Sequence, residues 1–244
     1  MQIAAGIAMV LFIGICSVVG IRLLVLAYRT RGVEELLCAC GFTFIGLLGY
    51  PASIASGYGM GTVGDVIFPA YLWGTIWTNL GIWSFYAFTW RVFRPAERWA
   101  LGFTLAAGVV LATGCIANIV TLLTSPANAS SFEVTHGWTR LLQVGSVSCF
   151  AWTTWEAARQ YFMSHKRRAI GLGDSVSSNR FLLWGVFGGS TLILSGVFAV
   201  IHHLGIPSAT SPMMHVTTAV MGLISSVAIY LAFLPPKAYL ARLG

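Results

Sequence analysis

The chain has 244 residues, of which 57% are apolar and only 9% charged, with a formal net charge of +7. A water-soluble domain carries about a quarter charged residues, so composition excludes a soluble enzyme or binding domain. Nearly all of the length is taken up by apolar runs long enough to cross a bilayer, at ~20 residues each. The basic residues lie in short connecting segments rather than along one face or in a flexible tail, which is a topology signal and not a nucleic-acid footprint.

In chain order, seven segments pass the length and hydropathy test: 2–28, 36–57, 66–90, 99–124, 138–163, 181–204 and 213–234. The runs are continuously apolar rather than alternating, which excludes barrel strands. In hydrocarbon each run must satisfy its own backbone hydrogen bonds, so helices follow. The expected fold is an all-α integral membrane protein, a seven-transmembrane helix bundle forming a single polytopic domain over residues 1–244.

The first segment is not a signal peptide, since it lacks a basic start and its charges, Arg22, Arg29 and Arg31, lie at the far end. The connections after segments one, three and five carry Arg29 and Arg31; Arg91, Arg94 and Arg98; and Lys166, Arg167, Arg168 and Arg180, while the tail adds Lys237 and Arg242. The other three connections, 58–65, 125–137 and 205–212, hold no Lys or Arg. The positive-inside rule then places the N-terminus outside and the C-terminus in the cytoplasm, in a cytoplasmic (inner) or plasma membrane. The fifth segment is the most polar, with Arg140, Glu156 and Arg159. Removing it would strand Lys166, Arg167 and Arg168 outside, so it is kept, with Glu156 and Arg159 near the inner interface.

Small residues at four-residue spacing, Gly185 with Gly189 and Gly222 with Ser226, predict close helix packing, and Gly188 and Gly196 add to a central sixth helix. Pro51 predicts a kink in the second helix. Trp73, Trp90, Trp99, Trp138 and Trp184 sit near helix ends as an interfacial belt. Trp77 lies deeper in the third helix with Trp83, Phe85, Tyr86 and Phe88, where it packs or lines a ligand pocket. The five cysteines all fall within spans and form no CxxC pair or zinc spacing, so they read as small packing residues. The first three and last three segments share only a loose likeness, Glu34-Glu35-Leu36-Leu37 against Asn179-Arg180-Phe181-Leu182-Leu183, too little to establish a duplicated transporter.

Polar side chains within a membrane are costly and therefore informative. On this threading the outer third collects Asn118, Arg140, Gln143, His202, His203 and His215, with Glu133 and His136 in the adjoining loop and Asn79 nearer the midplane. A cluster from four helices at one depth describes an outward-facing polar pocket, in which Arg140 holds an anionic group or pairs with Glu133. The histidines raise an alternative, a haem or transition metal on His203 and His215 with His136 or Glu133 as further ligands; of His202 and His203 only one points inward, since adjacent helical residues diverge by ~100°. No cofactor is expected on the main reading. A retinal Schiff base is excluded, because the last segment contains no lysine, and GxxxxGK[ST] and GxSxG motifs are absent. Asn128-Ala129-Ser130 is a glycosylation sequon on an outer connection.

These residues favour a non-enzymatic, receptor-like protein that binds or senses a small polar or anionic ligand near its outer face. The bilayer is one partner, and the basic inner loops face the membrane surface or a cytoplasmic protein; no nucleic acid is expected. The alternatives are a haem- or metal-dependent redox or catalytic membrane protein, and a three-plus-one-plus-three transporter or accessory subunit. Reporter tags on the two termini should signal from opposite compartments, whereas signals from one compartment mean an even number of spans.

Overall fold

The computed structural model describes residues 2–169, 174–207 and 211–241. Arg242 of the basic tail lies outside the described residues, as do 170–173 and 208–210 in two connections. The chain is all-α: α1 (Gln2–Thr30), α2 (Val33–Ala55), α3 (Phe68–Phe93), α4 (Arg98–Thr124), α5 (Ser131–Ala169), α6 (Ser175–His203), α7 (Pro212–Phe233) and a short α8 (Lys237–Leu240). Among the described residues α1, α2, α4, α6 and α7 are long and apolar enough to cross a membrane. At 26 and 39 residues α3 and α5 are also long, but tryptophans and tyrosines dilute the first and Glu133, Arg140, Glu156 and Arg159 the second. Length and composition therefore establish five such helices rather than the expected seven.

Successive long helices pack against one another, α3 also meets α5, and α7 closes the bundle against α1. The helices alternate in direction, so the connections sort to two ends. The basic end holds 31–32, 94–97 and 234–236 with the end of α5 and the start of α6, and the loop end holds 56–67 and 125–130 with the end of α6 and the start of α7. At the basic end Asp174 caps α6, its carboxylate accepting from the N–H groups of Val176 (3.1 Å) and Ser177 (2.9 Å).

The flanks are apolar: Ile3, Val10, Val109 and Ile116 all stand exposed, as does Trp155. A soluble monomer does not leave apolar surface on this scale facing water. Inside, Phe42 of α2 is the hub of an aromatic core. Its ring lies 5.1 Å from Phe85, 5.9 Å from Trp184, 5.6 Å from Phe187 and 5.7 Å from Phe233, joining α2, α3, α6 and α7. Edge-to-face pairs of this kind add directional attraction to simple burial.

The irregularity around Pro51 takes a specific form. Residues Thr43–Gly49 are π-helical, and α-helix resumes at Tyr50, whose N–H bonds the carbonyl of Ile45 five residues back. Proline has no N–H to continue the ladder, and the one-residue register shift absorbs the defect within the turn that precedes it.

Close helix approach also lies elsewhere than expected. A Cβ on Gly185 or Gly189 would meet its nearest atom at an ordinary 3.7 Å, and one on Gly196 nothing within 4 Å, while Gly188 is tighter, 2.7 Å from Thr154 Oγ1. The backbones of α2 and α3 nearly touch, and so do those of α1 and α2, where a Cβ on Gly20 would lie 3.0 Å from the backbone nitrogen of Thr43. A Cβ on Gly74 would lie 2.7 Å from the backbone nitrogen of Ser53, and one on Gly81 would lie 3.1 Å from Gly41 O and 2.5 Å from Ile45 Cγ1. Backbone atoms cannot swing aside, so Gly81→Ala should destabilise the protein by ~1–3 kcal/mol, the usual cost of overpacking. Gly196→Ala should be neutral or slightly stabilising; thermal unfolding in detergent of the two variants checks the contrast.

Candidate functional site

The loop end is built by two connections docking on each other. Gly61, Thr62 and Val63 run antiparallel to Ala129–Ser131, with Val63 N–H donating to Ala129 O (2.8 Å) and Gly64 N–H to Ala127 O (2.8 Å). Ser131 Oγ donates to Gly61 O (2.8 Å). Asp65 accepts from the Thr62 N–H (2.9 Å) and hydroxyl (2.7 Å), and these bonds hold its carboxyl below the usual range.

Helix α5 begins at Ser131, seven residues before the expected Trp138, which places Glu133 and His136 within the helix rather than in a loop. The local cause is a capping pattern, Ser130-x-x-Glu133, in which Ser130 Oγ accepts from the Glu133 N–H (3.4 Å). Extending the helix puts Thr135 with Thr139, and His136 with Arg140, at four-residue spacing on adjoining stripes.

The threonine stripe faces α4 and the docked loop. The Tyr58 hydroxyl bonds Thr135 Oγ1 and lies 3.2 Å from Thr139 Oγ1, and Thr139 donates to Asn118 Oδ1 at 3.3 Å. Asn118 is 1% exposed and Thr135 fully buried. The Tyr58 ring stacks 4.9 Å from Tyr71 of α3. Burial raises the Tyr58 phenol above its ordinary range, only partly offset by the two threonines.

The histidine stripe faces α6. His136 Nε2 lies 2.6 Å from the His202 carbonyl and His202 Nε2 lies 3.1 Å from the His136 carbonyl, with ring centroids 4.4 Å apart. A carbonyl only accepts, so each ring carries its proton on Nε2. The 3.4 Å approach of Arg140 Nη2 to His136 Nε2 is then donor beside donor, and among the described residues the guanidinium's acceptor is the His203 carbonyl, also at 3.4 Å. Arg140 Nε and the Gln143 amide nitrogen, less than one turn apart, are buried with no hydrogen-bond partner among the described residues.

Of the residues expected to share a site, Asn118, Arg140, Gln143, His202 and His136 gather on or against α5. His203 contributes only its carbonyl, and its side chain is exposed. His215 is half-buried on α7, with no ring or hydrogen-bond contact to the His136–His202 pair among the described residues. Glu133 is exposed and forms no ion pair with Arg140 among the described residues. Asn79 donates to the Thr75 carbonyl of its own helix (2.8 Å), and Trp77 packs on Phe44 (4.7 Å) and Trp73 (5.5 Å), so both stand apart. Tyr58, Tyr71, Thr135 and Thr139 were not singled out by sequence; the capping pattern at Ser130 was the signal that reveals the threonines.

The two contacting imidazoles give Nε2–H to carbonyls, which leaves Nδ1 as the only ring nitrogen of each that could bind an ion. No group of three or more His, Cys, Asp or Glu suited to a metal occurs among the described residues. Compared with family models, with curated proteins and with solved structures, the chain matches none.

Tyr58→Phe removes one of the bonds that tie the docked loop to α5, and should lower stability by about 1 kcal/mol. Because burial raises the phenol's folded pKa, its contribution is intact at neutral pH and is lost as pH rises through and beyond ~10. Alkaline unfolding curves of wild type and variant should therefore converge at high pH; curves that stay parallel refute the assignment.

Proposed function

We propose that the chain is a seven-span membrane protein, N-terminus outside and C-terminus cytoplasmic, that binds or senses a small acceptor-bearing ligand at its outer end without transforming it. The seven-span reading is supported by how α5 accommodates its polarity. Gln143 and Glu156 are buried against neighbouring helices, while Val144, Trp155 and Phe162 form the exposed flank. The charge asymmetry between the two ends supports the orientation.

The observation that carries the binding reading is the pair of buried, unpartnered donors, Arg140 Nε and Gln143 Nε2. Leaving such groups unmet costs roughly 1–3 kcal/mol each, and a carboxylate or phosphate supplies acceptors to both, most strongly to the guanidinium. A non-catalytic role is supported by the hydroxyls here. Ser131 and Thr135 donate to backbone carbonyls and Thr139 to Asn118, so none of the three donates to a histidine or carboxylate that would activate it.

Acetate, succinate and inorganic phosphate are suitable probes in a thermal-shift titration of the detergent-purified protein. At 100 times its Kd a bound anion adds ~2.7 kcal/mol, so at least one should raise the melting temperature. Arg140→Gln and Gln143→Leu should each abolish that rise. No shift with any probe, or shifts that survive both substitutions, would reject the proposal.

A further inference from the structure

The charged cluster of the basic end is unevenly matched. Glu156 of α5 is 1% exposed, and its Oε1 accepts from Arg94 Nε at 2.8 Å in the turn between α3 and α4. Arg94 also lies over the Trp99 ring, 5.7 Å from its centroid. Arg159, one turn along α5, approaches Glu156 Oε2 only to 3.7 Å, makes no hydrogen bond among the described residues, and leaves 43% of its side chain exposed on the flank. One carboxylate thus faces two guanidiniums, and Arg94 holds the close contact.

The spare cation opens onto a groove. Trp155, Ala158, Arg159, Phe162, Met163 and Lys166 line a furrow of about 290 Å³ on one face of α5. Trp155 and Phe162 are 69% and 62% exposed. The groove thus joins large apolar side chains to two cations, Arg159 and Lys166, seven residues or ~10 Å apart along the helix. The turn holding Arg94 marks the end of α3 and so the level where hydrocarbon gives way to headgroups. A guanidinium held only by a 3.7 Å ion pair, to a carboxylate already shared with Arg94 and with 43% of its side chain exposed on the flank, is free to take a second anion at that depth.

We infer that this groove is a binding site for one anionic glycerophospholipid, its phosphate held between Arg159 and Lys166 and its acyl chain lying along Trp155 and Ala158. The inference rests on the membrane reading above but not on the outer-end ligand or on orientation, because a symmetric bilayer presents the lipid to both ends. Charge complementarity singles out the occupant: phosphatidylglycerol brings one net negative charge, phosphatidylcholine none.

The test is retention of lipid by the full-length protein released from mixed phosphatidylglycerol–phosphatidylcholine nanodiscs, read by native mass spectrometry. Wild type should keep one phosphatidylglycerol in preference to phosphatidylcholine by about tenfold or more, at roughly fivefold for each basic side chain near a membrane surface. Arg159→Gln with Lys166→Gln should erase the preference. Arg167→Gln with Arg168→Gln, which removes equal charge from outside the groove, should preserve it and serves as the folded comparison. Equal retention of both lipids, or equal loss in both double variants, overturns the site. So does displacement by millimolar inorganic phosphate alone, or a protein dimer in place of bound lipid. Failure to enter the nanodisc would refute the membrane reading itself, and leaves an outcome distinct from entry without lipid preference.

Discussion

A bundle whose flanks are Ile, Val, Leu, Phe and Trp has no hydrogen-bonding solvent along its sides, so each polar side chain it carries must be answered from within or pushed to an end. That constraint organises both polar regions. Many mid-helix serines and threonines return their hydroxyls to carbonyls three or four residues back, as Ser84 and Thr104 do, or meet across helices, as Ser190 and Ser225 do at 2.7 Å. Charge is confined to the two ends. The π-helical turn of α2 obeys the same rule, since rearranging the ladder before Pro51 is less costly than leaving carbonyls unpaired in an apolar interior.

Under this constraint the exceptions carry the information. Asn118, Thr139, Thr135 and Tyr58 satisfy one another, and the two histidines satisfy each other's backbone, so both groups are structural ties between helices. Arg140 Nε and the Gln143 amide nitrogen are not met among the described residues, and they follow both ties directly along α5. At the opposite end Arg94 holds one Glu156 oxygen in a short hydrogen bond, while Arg159 reaches the other only as a 3.7 Å ion pair. In each place the functional reading falls on the member of the cluster whose bonding is unfinished, rather than on the most conspicuous residue type.

The helices were legible because hydropathy reports directly on hydrocarbon-length runs, and the segment limits lie within a few residues of the observed ends of α1, α2, α3, α4 and α7. The start of α5 was not, because hydropathy is blind to a helix that begins in polar sequence, whereas the Ser130-x-x-Glu133 pattern marks it. That error moved His136 and Glu133 into a loop and concealed the threonine stripe. The sequence identified Arg140, Gln143, Asn118 and the His202–His203 pair as polar residues at one depth. It did not separate the buried His202 from the exposed His203, because that depends on where α6 meets α5. Tyr58 and Thr135 are 77 positions apart, and nothing local announces a partnership of that range. Of the α6 glycines Gly188 is close-packed as expected while Gly185, Gly189 and Gly196 are not, and the tightest backbone approaches join α2 to α3 and to α1, since spacing alone does not say which helix lies opposite.

Helix α5 is 39 residues long, and at 1.5 Å per residue it extends for ~58 Å, nearly twice the hydrocarbon thickness. It is unbroken from Ser131, beside the docked loops, to the cationic turns at Lys166–Arg168. A rod of that length is a lever: pivoting by about 5° at its midpoint swings each tip by some 2–3 Å, given the same rise per residue. The unfinished donors sit on one arm and Arg159 on the other, so a small reorientation at either position is delivered mechanically to the opposite end of the bundle.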